Sequence, residues 1–206
     1  MKKFLFILSV ILFFGNYLKA QDSAYVINGN LEKIKSGTIY LNIYEEGKTF
    51  NDSSVVTNGQ FKFTGFVSTP FFASLTLPQR HSDYFTFYVE PGTMEISGRG
   101  DSLKLLNVKG SAVNADNKLL KERMKTITQW EDNDNKLYEQ AYKEKNTRVL
   151  DSLDQVDNDI LAAKREVVKA FVKDYPKSIR AAMAIIENYG YYAEASDVEP
   201  LYNELD

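Results

Sequence analysis

Apolar and polar residues alternate along the first half of the chain in short stretches of the kind that form strands. Phe61 and Phe63 share one face of the segment 60–64, whereas its polar residues share the other face. Asn58-Gly59, just before this segment, is the strongest short signal for a hairpin, because a type I′ turn needs positive φ at both central positions. The strands predicted in this way are 24–27, 38–44, 54–57, 60–64, 72–77, 84–90, 93–97 and 104–108.

These segments give seven or eight strands within about 85 residues, a density typical of all-β domains. Pro91-Gly92 makes a tight turn between two of them. No helical crossover is long enough for parallel βαβ units. The pattern therefore predicts an antiparallel β-sandwich or a partly open barrel.

Beyond residue 111 the apolar period changes from two residues to three or four, which indicates helices. From 149 to 170 apolar residues alternate steps of four and three, forming a narrow stripe of coiled-coil type. Lys145-Asn146-Thr147 interrupts the pattern and offers an N-cap. We expect two helices packed antiparallel as a hairpin, with an intermolecular coiled coil as the alternative.

Shorter helices follow the hairpin. Pro176 stops the second helix and suits the first turn of a third over 177–188. Gly190 ends that helix, and a last short helix begins near Asp197. The chain as a whole is therefore predicted to be α+β, with the β-domain first and the helical hairpin and shorter helices after it.

The N-terminus has the pattern of an export signal. Lys2 and Lys3 precede an apolar run over 4–14, which is about half the length needed to cross a bilayer core as a helix. With the small residue Ala20, this pattern predicts a secretory signal peptide cleaved before Gln21. The alternative is an uncleaved anchor. Cleavage predicts a protein of the periplasm or cell envelope that keeps no stable membrane anchor.

Composition divides the remainder near residue 110. Nine of the eleven glycines lie between Gly29 and Gly110. Residues 21–110 carry 8 basic and 9 acidic side chains, whereas 111–206 carry 14 and 19. We therefore expect a signal peptide at 1–20, a β-domain at 21–110 and a helical region at 111–206.

Composition also excludes several classes of function. The formal net charge of −3 argues against a nucleic-acid partner. Because the 206 residues include no Cys, disulfides, thiolate catalysis, iron–sulfur clusters and Cys-ligated zinc are excluded. A single His leaves a catalytic triad only one possible base. The residues therefore predict no catalytic, cofactor-binding or metal-binding residue, and no cofactor.

Two acidic groups are candidate cation sites. The segment 132–137 is similar to the start of an EF-hand loop, but it has Lys at the fifth position and lacks the Gly required at the sixth. A solvated helical bend is the favoured interpretation there. Asp151, Asp154 and Asp157 can line one helix face, where unpaired acids usually serve solubility.

Two further motifs have ordinary structural explanations. His81 lies between two predicted strands, and a solvated hairpin loop is favoured over a general base. Arg99-Gly100-Asp101 spells an adhesion tripeptide, which any glycine-rich turn can produce by chance. We predict neither catalysis nor adhesion from these residues.

Three tyrosines surround Gly190. Tyr189, Tyr191 and Tyr192 form a possible docking surface for a following domain or a second copy, because Tyr is favoured at interfaces. The competing interpretation is a helix end packed on the core of the third helix. The sequence favours packing and leaves docking open.

Four segments together resemble a known family. The segments 52–65, 87–96, 108–111 and 175–178 resemble the DUF4369 family, a small β-domain of exported bacterial proteins. In that family the β-domain and helices usually precede a thioredoxin-like domain of the thiol–disulfide oxidoreductase or peroxiredoxin-related kind. That domain carries a Trp-Cys-x-x-Cys motif, whose lowered thiol pKa makes the nucleophile.

The resemblance implies a non-catalytic accessory region of an envelope thiol–disulfide oxidoreductase. Its partner would be a thioredoxin-like domain, covalently attached or separate, or a second copy of the chain. The sequence leaves open whether the chain stands alone or is the first part of a longer protein, and its ending within a helical segment favours the latter. The alternative function is an exported ligand-binding β-domain, for instance for glycans, with Tyr40 and Tyr44 on a flat aromatic platform.

Overall fold

The computed structural model describes residues 23–45, 48–78, 80, 82–190 and 193–206. Within these residues the chain is α+β, as the hydrophobic pattern predicts. The strands are β1 (Ser23–Glu32), β2 (Ser36–Glu45), β3 (Lys48–Thr57), β4 (Gln60–Val67), β5 (Phe71–Thr76), β6 (Tyr84–Val89), β7 (Gly92–Arg99) and β8 (Asn107–Lys109). The helices are α1 (Ala112–Glu144), α2 (Thr147–Asp174), α3 (Ile179–Tyr189) and α4 (Ala195–Asn203), with a short 3-10 helix at Leu103–Leu105.

The described strands form one sheet that curls into a nearly closed barrel, in the order β6-β5-β2-β3-β4-β1-β7-β8. β3 and β4 pair only at Thr57 and Gln60, so two four-stranded halves meet at this hairpin. Its turn residues Asn58 and Gly59 have φ of 51° and 83°, which confirms the predicted turn.

One strand pair differs from the predicted antiparallel arrangement. β1 lies between antiparallel β4 and parallel β7. A parallel pair needs a crossover, which sequence reasoning sought in a helix. Here the intervening strands β2 to β6 make that crossover, so the sheet is mixed.

The barrel interior is filled by the apolar face of each strand. Phe61 and Phe63 are 5% and 2% exposed, which confirms the alternation predicted for their segment. Gly29 lies directly opposite Phe61 on β1, and a Cβ at Gly29 would come within 1.9 Å of that ring. The glycine therefore provides the space that the phenylalanine ring occupies.

The helices α1 and α2 form the predicted antiparallel hairpin. Lys145 ends α1 with a left-handed φ of 55°, and the Asn146 side chain accepts a hydrogen bond from the Val149 N–H at 3.3 Å. The predicted break and N-cap are therefore confirmed. A second apolar cluster joins α1, α2, α3 and α4, with Phe171 and Ile185 at its centre.

Four local predictions needed correction. In place of the strand predicted over 104–108, the structure has the 3-10 helix Leu103–Leu105 and the short strand Asn107–Lys109. The segment 132–137 lies inside the continuous helix α1 instead of at a bend, since it contains no Gly or Pro that would break a helix. The third helix begins at Ile179, because the Ser178 hydroxyl accepts a hydrogen bond from the Arg180 N–H and caps it. Pro176 therefore precedes this helix and does not form its first turn.

Candidate functional site

The barrel has an open seam between β6 and β8, which are the two ends of the sheet order. Helix α1 begins across this seam and contacts both strands. Asn114, in the first turn of α1, binds the free edge of β6. Its side-chain oxygen accepts from the Tyr88 N–H at 2.9 Å, and its amide nitrogen donates to the Tyr88 carbonyl at 2.6 Å. The side-chain amide therefore takes the place of a neighbouring strand at this residue.

Local sequence explains why Asn114 reaches β6. Gly110 follows β8 with φ of 76° and turns the chain, where a Cβ would lie 2.4 Å from the Thr93 carbonyl oxygen. Ser111 then caps α1, since its hydroxyl accepts from the Asn114 N–H at 3.1 Å. The same hydroxyl accepts from the Asn114 side-chain amide at 2.7 Å, which fixes the orientation of that side chain.

The other end of the seam is closed by Asp83. Its carboxylate accepts from the N–H groups of Leu103 and Lys104 at 3.2 and 3.3 Å. The 3-10 helix is thereby held against the beginning of β6. Between this contact and Asn114 lies Thr86, at the middle of the open edge.

A polar network around the buried Arg180 side chain joins the barrel to the helices. Arg180, which is 7% exposed, donates from Nε to Asn117 Oδ1 at 2.9 Å and from Nη2 to Glu187 Oε2 at 2.6 Å. Its guanidinium carbon lies 5.7 Å from the centre of the Tyr88 ring. The Tyr88 hydroxyl donates to Glu187 at 3.4 Å. This network links β6, α1 and α3 through charge-assisted hydrogen bonds.

Electrostatics in this network follow from its burial. Burial raises the pKa of the Tyr88 hydroxyl, and the Glu187 carboxylate raises it further, while the Arg180 guanidinium opposes both. The hydroxyl therefore stays protonated and remains a donor at neutral pH. Within the described residues, Arg180 Nη1 is buried without a hydrogen-bond partner, so the Tyr88 ring face supplies part of its stabilisation.

A groove of about 1270 Å³ runs along the seam and the adjoining face of α1. Apolar side chains from the barrel and from α1 line part of it, as do Thr86 and Asn114. The apolar lining residues are Phe85, Leu105, Leu106, Val108, Leu120 and Met124. The groove therefore combines an apolar surface with an unpaired strand edge.

Basic side chains surround the same groove. Lys109, Lys118, Lys121 and Lys125 are exposed and line it, and none of them forms an ion pair within the described residues. Lys164 also lines it and pairs with Glu131 at 2.5 Å. A chain with a formal net charge of −3 thus has a locally basic groove.

The outer face of the first half-barrel carries exposed aromatic rings. Tyr40, Tyr44, Phe72 and Tyr84 are 38–47% exposed on β2, β5 and β6. Asn42 lies between the two β2 tyrosines, and its amide donates to Ser74 Oγ and Thr76 Oγ1 at 3.3 and 3.1 Å. The planes of the Tyr44 and Phe72 rings are inclined by 37° to each other.

The tyrosines proposed for docking are only partly described. Tyr189 is 6% exposed in the helical core, and the Arg165 guanidinium carbon lies 4.8 Å from its ring centre. Burial raises the pKa of its hydroxyl. Tyr189 therefore packs as the competing interpretation had it, while Tyr191 and Tyr192 lie outside the described residues and docking there stays a prediction. The expected cleavage site, Ala20 and Gln21, also lies outside them.

The adhesion-like tripeptide is part of a surface ion-pair cluster. Arg99 donates to both Asp101 oxygens at 2.9 and 2.7 Å, and Lys33 pairs with Asp101 at 3.1 Å. These hydrogen bonds lower the pKa of the Asp101 carboxyl well below its ordinary value. The Arg80 guanidinium donates to the Gly100 and Asp101 carbonyls. The tripeptide thus has a structural explanation.

The remaining sequence candidates are His81 and the acidic residues of α1 and α2. His81 lies outside the described residues. Asp157 lies near Asp134 of α1, and burial together with this second carboxylate raises the pKa of Asp134. No three His, Cys, Asp or Glu side chains come together as a metal site in the part of the chain that the structure describes. Nor, among those residues, is any helix long and apolar enough to span a membrane.

Sequence reasoning missed Asn114, Arg180 and Thr86. Asn114 follows the cap Ser111 by three residues, a position where Glu or Gln normally completes a capping box. This departure was the available signal that the side chain has another partner. Arg180 lies among apolar residues of α3, which marks a buried charge, but its partners on α1 could not be identified by spacing.

The described residues thus form a nearly closed barrel followed by a helical extension, with a groove along the barrel seam. Residues 25–117 match the family model described as Domain of unknown function (DUF4369), so the chain contains a domain of this family. No curated protein and no solved structure matches the chain.

Proposed function

We propose that this chain is a non-catalytic accessory region of an envelope thiol–disulfide oxidoreductase, which positions a thioredoxin-like domain or partner. The supporting observation is the hydrogen-bond network of Tyr88, Asn117, Arg180 and Glu187, which ties the barrel to two helices. With Asn114, it fixes the orientation of the barrel relative to the helices. A rigid base limits the orientations of a bound domain and so raises its effective concentration near a substrate.

The composition of the chain is consistent with a non-catalytic role beside a catalytic partner. With no Cys, it has no thiolate to attack a disulfide, so the partner must supply both redox sulfurs. We expect purified residues 21–206 to have no disulfide-reductase activity above blank. Measurable insulin reduction by the chain alone would contradict this part of the proposal.

The proposal is tested by measuring whether the chain binds thioredoxin-like proteins and whether it changes the rate at which they reduce their substrates. Envelope proteins of the same organism that carry a Trp-Cys-x-x-Cys segment would be purified and titrated with residues 21–206 by calorimetry. We expect saturable binding to at least one of them, and a faster or more selective reduction of its substrate in the complex. If no such protein binds and no reduction rate changes, the accessory role is wrong.

Export is part of the same proposal and has its own test. The full chain would be produced in a bacterial host, and its periplasmic fraction would be isolated and sequenced from the N-terminus. We expect a product that begins at Gln21, because Ala20 supplies the small residue before the cleaved bond. A product retained in the membrane at full length would favour the anchor alternative.

A second candidate function is glycan binding on the aromatic outer face. It is favoured by the exposed rings of Tyr40, Tyr44 and Phe72 around the Asn42 amide, since sugars stack on aromatic rings and hydrogen-bond to amides. A glycan array would be probed with the wild type, with Tyr44→Ala and with the control Tyr142→Ala, whose ring is 67% exposed on the helical hairpin. Binding that only Tyr44→Ala abolishes would support this function, and no bound glycan would contradict it.

A further inference from the structure

We propose that the groove at the barrel seam binds an extended acidic peptide segment of a partner protein, which pairs as an additional strand with the free edge of β6. This inference rests on the proposed accessory function, because it specifies the surface and the partner chemistry through which positioning occurs. It requires an available strand edge, a matching charge and an apolar surface along one groove.

The strand edge is available at Thr86. Along a strand, backbone groups two residues apart point to the same side. Since the Tyr88 N–H and carbonyl point to α1, those of Thr86 point to the seam as well. No described residue pairs with Thr86 on that side, because the β5 partner Ser74 lies on the other. At Tyr88, the Asn114 side-chain amide already makes the hydrogen bonds that a neighbouring strand would make. The backbone amides of a peptide can make the same kind of bonds at Thr86.

The charge of the groove selects the partner. Lys118, Lys121 and Lys125 lie three and four residues apart, which places them on one face of α1. Lys109, at the end of β8, lines the groove too. Because these four side chains form no ion pair within the described structure, their charge is available to an acidic segment. The acidic groups in the lining, Glu122 and Glu187, are fewer, and Glu187 is engaged by Arg180.

The apolar part of the lining favours a partner segment in which acidic and apolar residues alternate. An extended segment presents successive side chains to opposite faces. Leu106, Val108 and Met124 offer contacts to one set of side chains, while the lysines of α1 contact the other. A segment of alternating acidic and apolar residues therefore matches the groove better than a uniformly acidic one. Strand addition of this kind takes its affinity from main-chain hydrogen bonds and its specificity from alternate side chains.

The first test uses three fluorescein-labelled decapeptides with residues 23–206. One alternates Glu and Val, one alternates Lys and Val, and one repeats the Glu–Val sequence with every backbone nitrogen methylated, so that no N–H group remains on either edge. Fluorescence anisotropy should show saturable binding of the unmethylated Glu–Val peptide only, weakened by added salt. Equal binding of the Lys–Val peptide would refute the charge argument, and equal binding of the methylated peptide would refute strand pairing.

Matched variants locate the binding site. The double variant Lys118→Glu with Lys121→Glu reverses two groove charges, and Lys136→Glu with Lys143→Glu makes the same change on the exposed distal part of α1. We expect an affinity loss of about tenfold or more for the groove variant and less than about twofold for its control. Equal losses would place binding elsewhere and overturn the inference.

Thr86→Pro tests the strand edge itself. The Thr86 N–H faces the seam and does not pair with β5, so Pro is compatible with this edge position. The variant should keep the circular dichroism spectrum and lose binding of the Glu–Val peptide. Unchanged binding would overturn strand pairing. If Thr86→Pro does not fold, hydrogen exchange of the Thr86 amide in the wild type decides instead: slower exchange with the peptide supports the inference, and unchanged exchange opposes it.

The outcomes separate this inference from the accessory function. If a thioredoxin-like protein binds and the groove variants bind it equally well, the accessory function stands and the groove inference fails. If the Glu–Val peptide binds in the groove but no thioredoxin-like protein binds, the inference stands and the accessory function fails.

Discussion

Replacing Asn114 by Ala removes the side chain that caps the open edge of β6. The wild-type amide makes two hydrogen bonds with the Tyr88 backbone and one with the Ser111 hydroxyl, and the residue is 7% exposed. Alanine cannot replace any of these bonds. The substitution therefore leaves the N–H and the carbonyl of Tyr88 buried without partners.

The expected loss in the free energy of unfolding follows from the unpaired N–H and carbonyl of Tyr88. A buried backbone group left unpaired costs about 1–3 kcal/mol, so two groups cost about 2–6 kcal/mol. Water that enters from the adjacent groove can bond to these groups and lowers this cost. The higher helix propensity of alanine stabilises the variant by about 0.5 kcal/mol. We therefore expect Asn114→Ala to lose about 2–4 kcal/mol. Native domains have about 5–15 kcal/mol in all, so the loss is a large fraction of the total.

Urea denaturation of residues 23–206, followed by far-ultraviolet circular dichroism, measures this loss. The control is Asn133→Ala, at an exposed position of the same helix, where the propensity gain is the same and no hydrogen bond is removed. It should be neutral or slightly stabilising. A free energy of unfolding for Asn114→Ala equal to that of Asn133→Ala would refute the capping role, as would fast exchange of the Tyr88 amide in the wild type.

Three further predictions concern stability. Gly29→Ala should lose about 1–3 kcal/mol in urea denaturation, because its Cβ would overlap the Phe61 ring; wild-type stability would contradict this. Asn146→Ala should lose about 1 kcal/mol by removing the cap of α2, and an unchanged thermal midpoint would show that the cap contributes nothing. Asp134→Asn should raise Tm at neutral pH, because burial and Asp157 raise the pKa of Asp134, so its folded form favours the proton. The protonated Asp134 carboxyl therefore stabilises the fold below the unfolded pKa of about 4, and this contribution is lost as pH rises through the folded pKa. The gain in Tm from Asn should therefore vanish near pH 3. A gain in Tm that does not depend on pH would refute this reasoning.

The elements were predictable because each depends on local pattern. The two-residue alternation around Phe61 and the Asn58-Gly59 turn define a hairpin without reference to the remainder of the chain. The cap at Asn146 likewise depends on residues within one helical turn. The parallel pairing of β1 with β7 was not predictable in this way, because it joins strands separated by five others.

The groove could not be predicted, because its parts are distant in the sequence. Thr86, Lys118 and Arg180 come from β6, α1 and α3, and only the tertiary fold places them around one cavity. Thr86 and Lys118 are ordinary where they stand, as a Thr in a strand and a Lys on an exposed helix face, and Arg180 is marked only by its apolar neighbours. The tyrosines near Gly190 drew attention for the opposite reason, since they are adjacent in sequence, and yet Tyr189 is buried.

The chemistry of the junction is itself an argument about its role. Apolar residues would join the barrel and helices at least as strongly, since a hydrogen bond such as that from Arg180 to Asn117 replaces bonds to water and adds little net stability. What the polar network adds is a dependence on geometry. The Asn114 amide bonds Tyr88 only in one register, and Arg180 of α3 meets Asn117 of α1 only at one orientation of these two helices. A junction of this kind suits a protein that must hold its barrel and its helices in one fixed relative orientation. The groove is bounded by both the barrel and α1, so a partner bound there would be held in a fixed orientation as well.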